Sequence, residues 1–60
     1  MKFATFAGQD GRPVYVNPKL VTAIIELNDR LCEVQFGNGN AVTIPLQIAL
    51  VAEDIQKAAS

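Results

Sequence analysis

The stretch LCEVQFGNGNAVTI, residues 31–44, decides the fold because two alternating apolar runs flank an Asn-Gly turn. Asn-Gly is a strong hairpin signal, since glycine accepts a positive φ without a Cβ clash. A two-residue turn at Asn38-Gly39 would mix the faces of the two strands. A three-residue loop over 37–39, with Gly39 in the left-handed region, keeps apolar residues opposite one another, and we expect this register. It pairs Val34 with Val42 and Cys32 with Ile44.

The same reasoning applies to the hairpin around Gln9-Asp10-Gly11. A three-residue loop there pairs Phe6 with Val14 and Ala4 with Val16. The middle connection, Asn28-Asp29-Arg30, leaves two alternatives open. An Asp29-Arg30 turn and an Asn28-Asp29 turn differ by two positions, so both keep the faces in phase. Either one places Ile25 and Leu27 toward the core, and puts Ile24 on the other face together with Glu26, a neighbour of Glu33.

The expected architecture is mainly β, of the α+β class, in a single domain over residues 1–60. It is a small antiparallel five-strand meander or partly open barrel with one C-terminal helix. Asn17-Pro18-Lys19 marks a turn or kink, since Pro18 cannot donate to a ladder. Pro45 stops the last strand and suits the first turn of a helix. The predicted strands span 2–8, 13–17, 21–28, 31–37 and 40–44, and the predicted helix spans 46–58 with Ile48, Val51, Ala52, Ile55 and Ala59 facing the sheet.

Composition argues against catalysis. The 60 residues include no histidine, one cysteine and a formal net charge of −1. A lone cysteine forms neither an internal disulfide nor a thiolate metal site, and Cys32 falls on the predicted core face. We therefore expect no enzyme activity, no cofactor and no metal. The N-terminus does not resemble a signal peptide and no apolar run suits a membrane span, so we expect a cytoplasmic protein.

The size of the chain favours self-association. A 60-residue domain buries only about 60% of its unfolded surface, and small domains lean on disulfides, metals or partner subunits. Half of the residues are hydrophobic, and this number exceeds what a single small core can bury. We expect a homo-oligomeric binding module that sequesters a small ligand or engages a partner protein. The candidate interface residues are Ile24, Leu31, Leu46 and Leu50.

Polar and aromatic loop residues provide the candidate ligand site. A cleft between subunits is expected to take a small anion through Arg12, Tyr15, Asn17, Lys19 and Arg30. The alternative function is nucleic-acid binding, with Tyr15 and Phe3 stacking on bases. The near-balanced charge, five Lys/Arg against six Asp/Glu, disfavours this alternative.

The order of elements from Val14-Tyr15-Val16-Asn17-Pro18 onward is strand, Asn-Pro, strand, short turn, strand, Asn-Gly, strand and helix. Over about residues 13–52 this order resembles the small flagellar-operon FlbD-type proteins and their bacterial and phage relatives. That resemblance implies no catalytic residues. More distantly, the strand-turn-strand-helix half is similar to the β core of LytTR-type domains, which implies DNA contact through basic loops.

Overall fold

A computed structural model describes residues 2–60. Five strands and one helix follow one another, with a 3-10 turn between the second and third strands. The elements are β1 (Ala4–Ala7), β2 (Pro13–Val16), the 3-10 helix (Pro18–Leu20), β3 (Ala23–Asn28), β4 (Leu31–Gly37), β5 (Asn40–Ile44) and α1 (Ile48–Ala59). The mainly β, α+β architecture with a C-terminal helix is confirmed.

The strands form two antiparallel sheets rather than one continuous meander. β1 and β2 make a two-stranded sheet, and β3, β4 and β5 make a three-stranded sheet in that order. The described strands do not close into a barrel. The break falls at the 3-10 turn, where the side-chain oxygen of Asn17 accepts a hydrogen bond from the backbone N–H of Lys19 at 3.0 Å. This turn separates β3 from β2 and lies where Pro18 predicted a turn or kink.

Both outer hairpins have the predicted pairing. β1 and β2 align Phe6 with Val14, and β4 and β5 align Val34 with Val42. The β4–β5 turn itself differs in detail from the expected three-residue loop. Asn38 and Gly39 both have positive φ, 54° and 79°, as in a two-residue type I′ turn, and the register shifts at Phe36. The bulge at Phe36 therefore restores the register that a regular two-residue hairpin would have lost.

The β3–β4 hairpin overturns the expected assignment of faces. Asn28 pairs with Leu31, as an Asp29-Arg30 turn requires, but the register shifts by one residue at Leu27. Upstream of this bulge Ile24, rather than Ile25, lies opposite Val34. Because a one-residue shift exchanges the two faces of a strand, Ile24 packs against the core. Ile25 and Leu27 are instead 42% and 48% exposed.

The core lies between the two sheets and α1. Its buried members come from both sheets and from one helix stripe, and partly buried side chains surround them. The buried residues are Ala4, Phe6, Val16, Cys32, Val34, Ile44, Val51 and Ile55. On the last turn of the helix Ala58, rather than the expected Ala59, packs against this cluster.

The helix begins two residues later than expected, and this changes the position of Leu46. The backbone N–H of Leu46 donates to the carbonyl of Ile44 at 2.9 Å, which closes a tight turn centred on Pro45. Leu46 thus precedes α1 and packs against the core. The predicted helix 46–58 included Leu46, whereas the observed helix does not. Leu50 is 49% exposed on the first turn of the helix.

Candidate binding surfaces

The predicted interface residues separate into two groups. Ile24 and Leu46 contribute to the core, and Leu31 is half-buried at the start of β4. Only Leu50 among the four is exposed. Six large hydrophobic side chains among residues 2–60 are well exposed. Ile25 and Leu27 were expected in the core and Leu20 had no assigned role, whereas Phe3, Tyr15 and Leu50 were expected on binding surfaces. The sequence assigned side chains of β3 to the wrong faces because an alternating apolar pattern does not reveal the bulge at Leu27.

Three loop residues of the predicted ligand site follow a common structural rule. Arg12, Lys19 and Arg30 each stand two residues after an Asp or Asn. In each case the side-chain oxygen of that Asp or Asn accepts the backbone N–H of the basic residue, at 2.9–3.0 Å. These Asx turns explain why the loops have these sequences. The accepting residues are Asp10, Asn17 and Asn28.

The basic side chains on these turns have different surroundings. Arg12 lies 3.8 Å from the Asp10 carboxylate, and both side chains are exposed. Arg30 lines a cleft of about 460 Å³ at the start of α1 together with Glu26 and Asp29. Two acidic residues beside one arginine leave this cleft without a positive excess. The structure thus does not bring Arg12 and Arg30 into one anion site.

Lys19 has a cationic neighbour that sequence reasoning missed. Lys2 and Lys19 line the same cleft of about 380 Å³, which is closed on its other side by the end of α1. The pairing joins two segments that are far apart in sequence, so no local pattern shows it. Two basic side chains thus line one cleft there.

The outer face of the β1–β2 sheet carries an exposed aromatic pair. Phe3 and Tyr15 contact each other edge to face, with ring centroids 6.3 Å apart. Phe3 is 50% exposed and Tyr15 is 65% exposed, although Phe6 and Val16 on the opposite face are buried. Exposed aromatic rings are typical anchors of binding surfaces because they bring a large contact area with few rotatable bonds.

One cysteine, Cys32, and two glutamates, Glu26 and Glu33, lie on the adjacent strands β3 and β4. Cys32 is fully buried, as predicted, and burial raises the pKa of its thiol above the ordinary value of 9.0. Glu26 and Glu33 were expected to be neighbours on one outer face. The bulge at Leu27 places Glu26 opposite Cys32, whereas Glu33 lies opposite Ile25 on the other face. Glu33 instead accepts a hydrogen bond from the Gln35 side chain at 2.9 Å.

The buried thiol gives a pH prediction. The unfolded chain loses the Cys32 proton near pH 9, whereas the folded chain retains it to higher pH. This contribution to stability is therefore fully present below pH 9 and is lost as the pH rises through and above that value. We expect the melting temperature to fall above pH 9, and to fall less in Cys32→Ala than in the parent chain. Equal pH profiles of the two proteins would contradict the assignment.

Comparison of the chain with protein-family models, with curated proteins and with solved structures finds no match. No helix in residues 2–60 is long and apolar enough to span a membrane.

Proposed function

We propose that the protein is a non-enzymatic, cytoplasmic binding module that assembles with copies of itself. The observation that carries this proposal is the apolar surface left outside a small core. Within residues 2–60, eight hydrophobic residues are buried, yet six large hydrophobic side chains are well exposed. The six are Phe3, Tyr15, Leu20, Ile25, Leu27 and Leu50. Burial of such side chains against a second subunit removes them from water and adds to the stability of a marginal fold.

The grouping of these side chains supports an interface over scattered surface residues. Phe3 and Tyr15 already contact each other, and Ile25 and Leu27 stand two residues apart on β3. Isolated apolar residues on a surface need no explanation, but grouped ones are typical of interaction sites. The small net charge, −1, adds little electrostatic repulsion between copies.

A protein partner fits this surface better than a small anion. The clefts are open, and the basic residues of the predicted ligand site lie in different surroundings. The buried thiol and the separated glutamates likewise support binding rather than catalysis.

Light scattering at micromolar concentration tests the proposal. We expect a mass that is a multiple of the 6.5 kDa chain. A mass of one chain under these conditions would exclude self-association.

Leu50→Glu is the variant that tests the helix as part of the interface. Burial of a leucine contributes about 1.5–3 kcal/mol, and a two-fold interface repeats the change on both subunits. We therefore expect the dissociation constant to rise roughly 100-fold or more. The fold is expected to persist because glutamate in the first turn of a helix interacts favourably with the helix dipole.

The matched control is Gln56→Glu, which adds the same charge at an exposed position on another side of α1. We expect its oligomer mass to equal that of the parent chain. If Leu50→Glu and Gln56→Glu assemble equally well, Leu50 lies outside the interface.

One observation favours nucleic-acid binding as the second candidate function. Lys2 and Lys19 share a cleft, and Phe3 and Tyr15, which each lie close in sequence to one of these lysines, expose their rings. Bases stack on aromatic rings while lysines contact phosphates. Binding to a single-stranded oligonucleotide that weakens with salt, and that Tyr15→Ala abolishes, would support this candidate over the first. Absence of any such binding would exclude it.

A further inference from the structure

The three-stranded sheet ends in an unprotected edge at β5. Among residues 2–60, backbone hydrogen bonds join β5 only to β4 and, at its last residue, to Leu46. The other open edges carry features that discourage pairing: β1 and β2 have four residues each, β2 begins with Pro13, and β3 contains the bulge at Leu27. β5 is a run of five residues, Asn-Ala-Val-Thr-Ile, without charge, proline or bulged residue of its own.

A cleft lies beside this edge. A cleft of about 440 Å³ lies between Ala41, Val42 and Thr43 on one side and Val14 with the Gly8–Asp10 loop on the other. The β1–β2 hairpin thus approaches β5 without pairing with it. Unpaired N–H and C=O groups at a strand edge bind an incoming extended segment through a new ladder.

We propose that β5 pairs in antiparallel fashion with β5 of a second copy of this chain, so that two three-stranded sheets join into one of six strands. This inference rests on the proposed self-association and specifies one interface for it. The occupant that fits the edge is an extended, uncharged segment of high β-propensity, and β5 is itself such a segment. Because it has no charge, its antiparallel self-pairing places no like charges opposite one another.

The alternation of faces fixes the register of this pair. Val42 and Ile44 face the core side, whereas Ala41 and Thr43 face the outer side of the sheet. Residues opposite one another must lie on the same face of the sheet. One residue of β5 therefore lies directly opposite its own copy at the two-fold axis, and the axis does not fall between two consecutive residues. Val42 is the central residue of β5, so an axis at Val42 pairs all five residues of the strand. It places Val42 opposite the partner's Val42 and Ala41 opposite the partner's Thr43.

Disulfide trapping tests the register. In the Val42→Cys variant the two new cysteines face each other across the axis, with Cα atoms about 4.5–5.5 Å apart, which is within the range of a disulfide. In Ala41→Cys the equivalent cysteines are diagonal neighbours about 7–8 Å apart, at or beyond that range. We expect mild oxidation to give a covalent dimer of Val42→Cys and little or none of Ala41→Cys. The native Cys32 is fully buried and does not compete.

Ala41→Lys tests the pairing of β5 independently, because it does not require the cysteine variants to fold. Ala41 is exposed, and a lysine there lies diagonal to Glu33 on β4, so the hairpin remains stable. A lysine on the edge strand opposes pairing with a second copy, and we expect the dissociation constant to rise at least 10-fold. Gln56→Lys adds the same charge on the helix and is expected to leave the mass unchanged.

The outcomes separate this inference from the proposed function. If the parent chain is an oligomer but Val42→Cys and Ala41→Cys cross-link equally, or Ala41→Lys has the parent's mass, β5 pairing is wrong and self-association stands. If the parent chain has the mass of one subunit, both proposals fail.

Discussion

The Ile44→Ala variant is expected to lose about 2–5 kcal/mol of folding free energy, the usual cost of truncating a fully buried isoleucine. Ile44 has no exposed surface and closes the core at the point where β5 leads into the helix. A domain of this size is stable by only about 3–9 kcal/mol. The substitution therefore removes a large share of the total, and we expect a substantial unfolded population at 37 °C.

The matched control is Ile25→Ala, which removes the same atoms from a side chain on the outer face of β3. Because Ile25 is 42% exposed, its truncation is expected to cost the fold of the single chain below about 1 kcal/mol, apart from the stability that burial in the proposed interface adds. Urea denaturation followed by circular dichroism measures both, at a concentration fixed across the variants because assembly adds to apparent stability. Equal midpoints for Ile44→Ala and Ile25→Ala would contradict the assigned core.

The second large effect is expected from Ile24→Asp, which is compared with Ile25→Asp at the adjacent position of β3. Ile24→Asp introduces a carboxylate into the cluster that contains Val34, without a cationic partner in that cluster. Burying an unpaired charge costs several kcal/mol, so this variant is expected to be unfolded at neutral pH. Ile25→Asp directs the same carboxylate outward, opposite Glu33, and we expect it to fold with a modest loss from the low strand propensity of aspartate and from this like-charge pair.

This pair of variants tests the bulge at Leu27 directly. Without the bulge the two positions exchange faces, and Ile25→Asp becomes the disruptive substitution. Dispersion of the proton NMR spectrum, or a cooperative thermal transition, distinguishes the folded variant from the unfolded one. A folded Ile24→Asp together with an unfolded Ile25→Asp would show that β3 has the regular register.

Local sequence was sufficient for the two outer hairpins. Asp10-Gly11 and Asn38-Gly39 supply the residues that positive φ requires, and the apolar alternation on both sides has one coherent phase. The strands β1, β2, β4 and β5 therefore pair as the pattern predicts. The unexpected bulge at Phe36 alters the pairing only next to the turn, so the predicted pairs Val34 with Val42 and Cys32 with Ile44 are preserved.

The β3 strand was not predictable in the same way. Ile24 and Ile25 are both apolar, so either phase directs an isoleucine toward the core. Glu26 and Leu27 favour the phase that directs Ile25 and Leu27 inward, so the pattern predicts the wrong face for Ile24 and Ile25. The same ambiguity affected the candidate surfaces, because a residue assigned to the wrong face moves from interface to core, as happened for Ile24.

Sequence by itself determined the type and order of the elements, the two glycine-containing turns and the burial of Cys32, because each depends on φ preferences or on short-range alternation. Only the tertiary structure decided the separation into two sheets, the bulge at Leu27 and the inward packing of Leu46. Those features depend on which surfaces the helix and the second sheet cover. That choice is a comparison of packing energies across the whole chain, and no local pattern of residues encodes it.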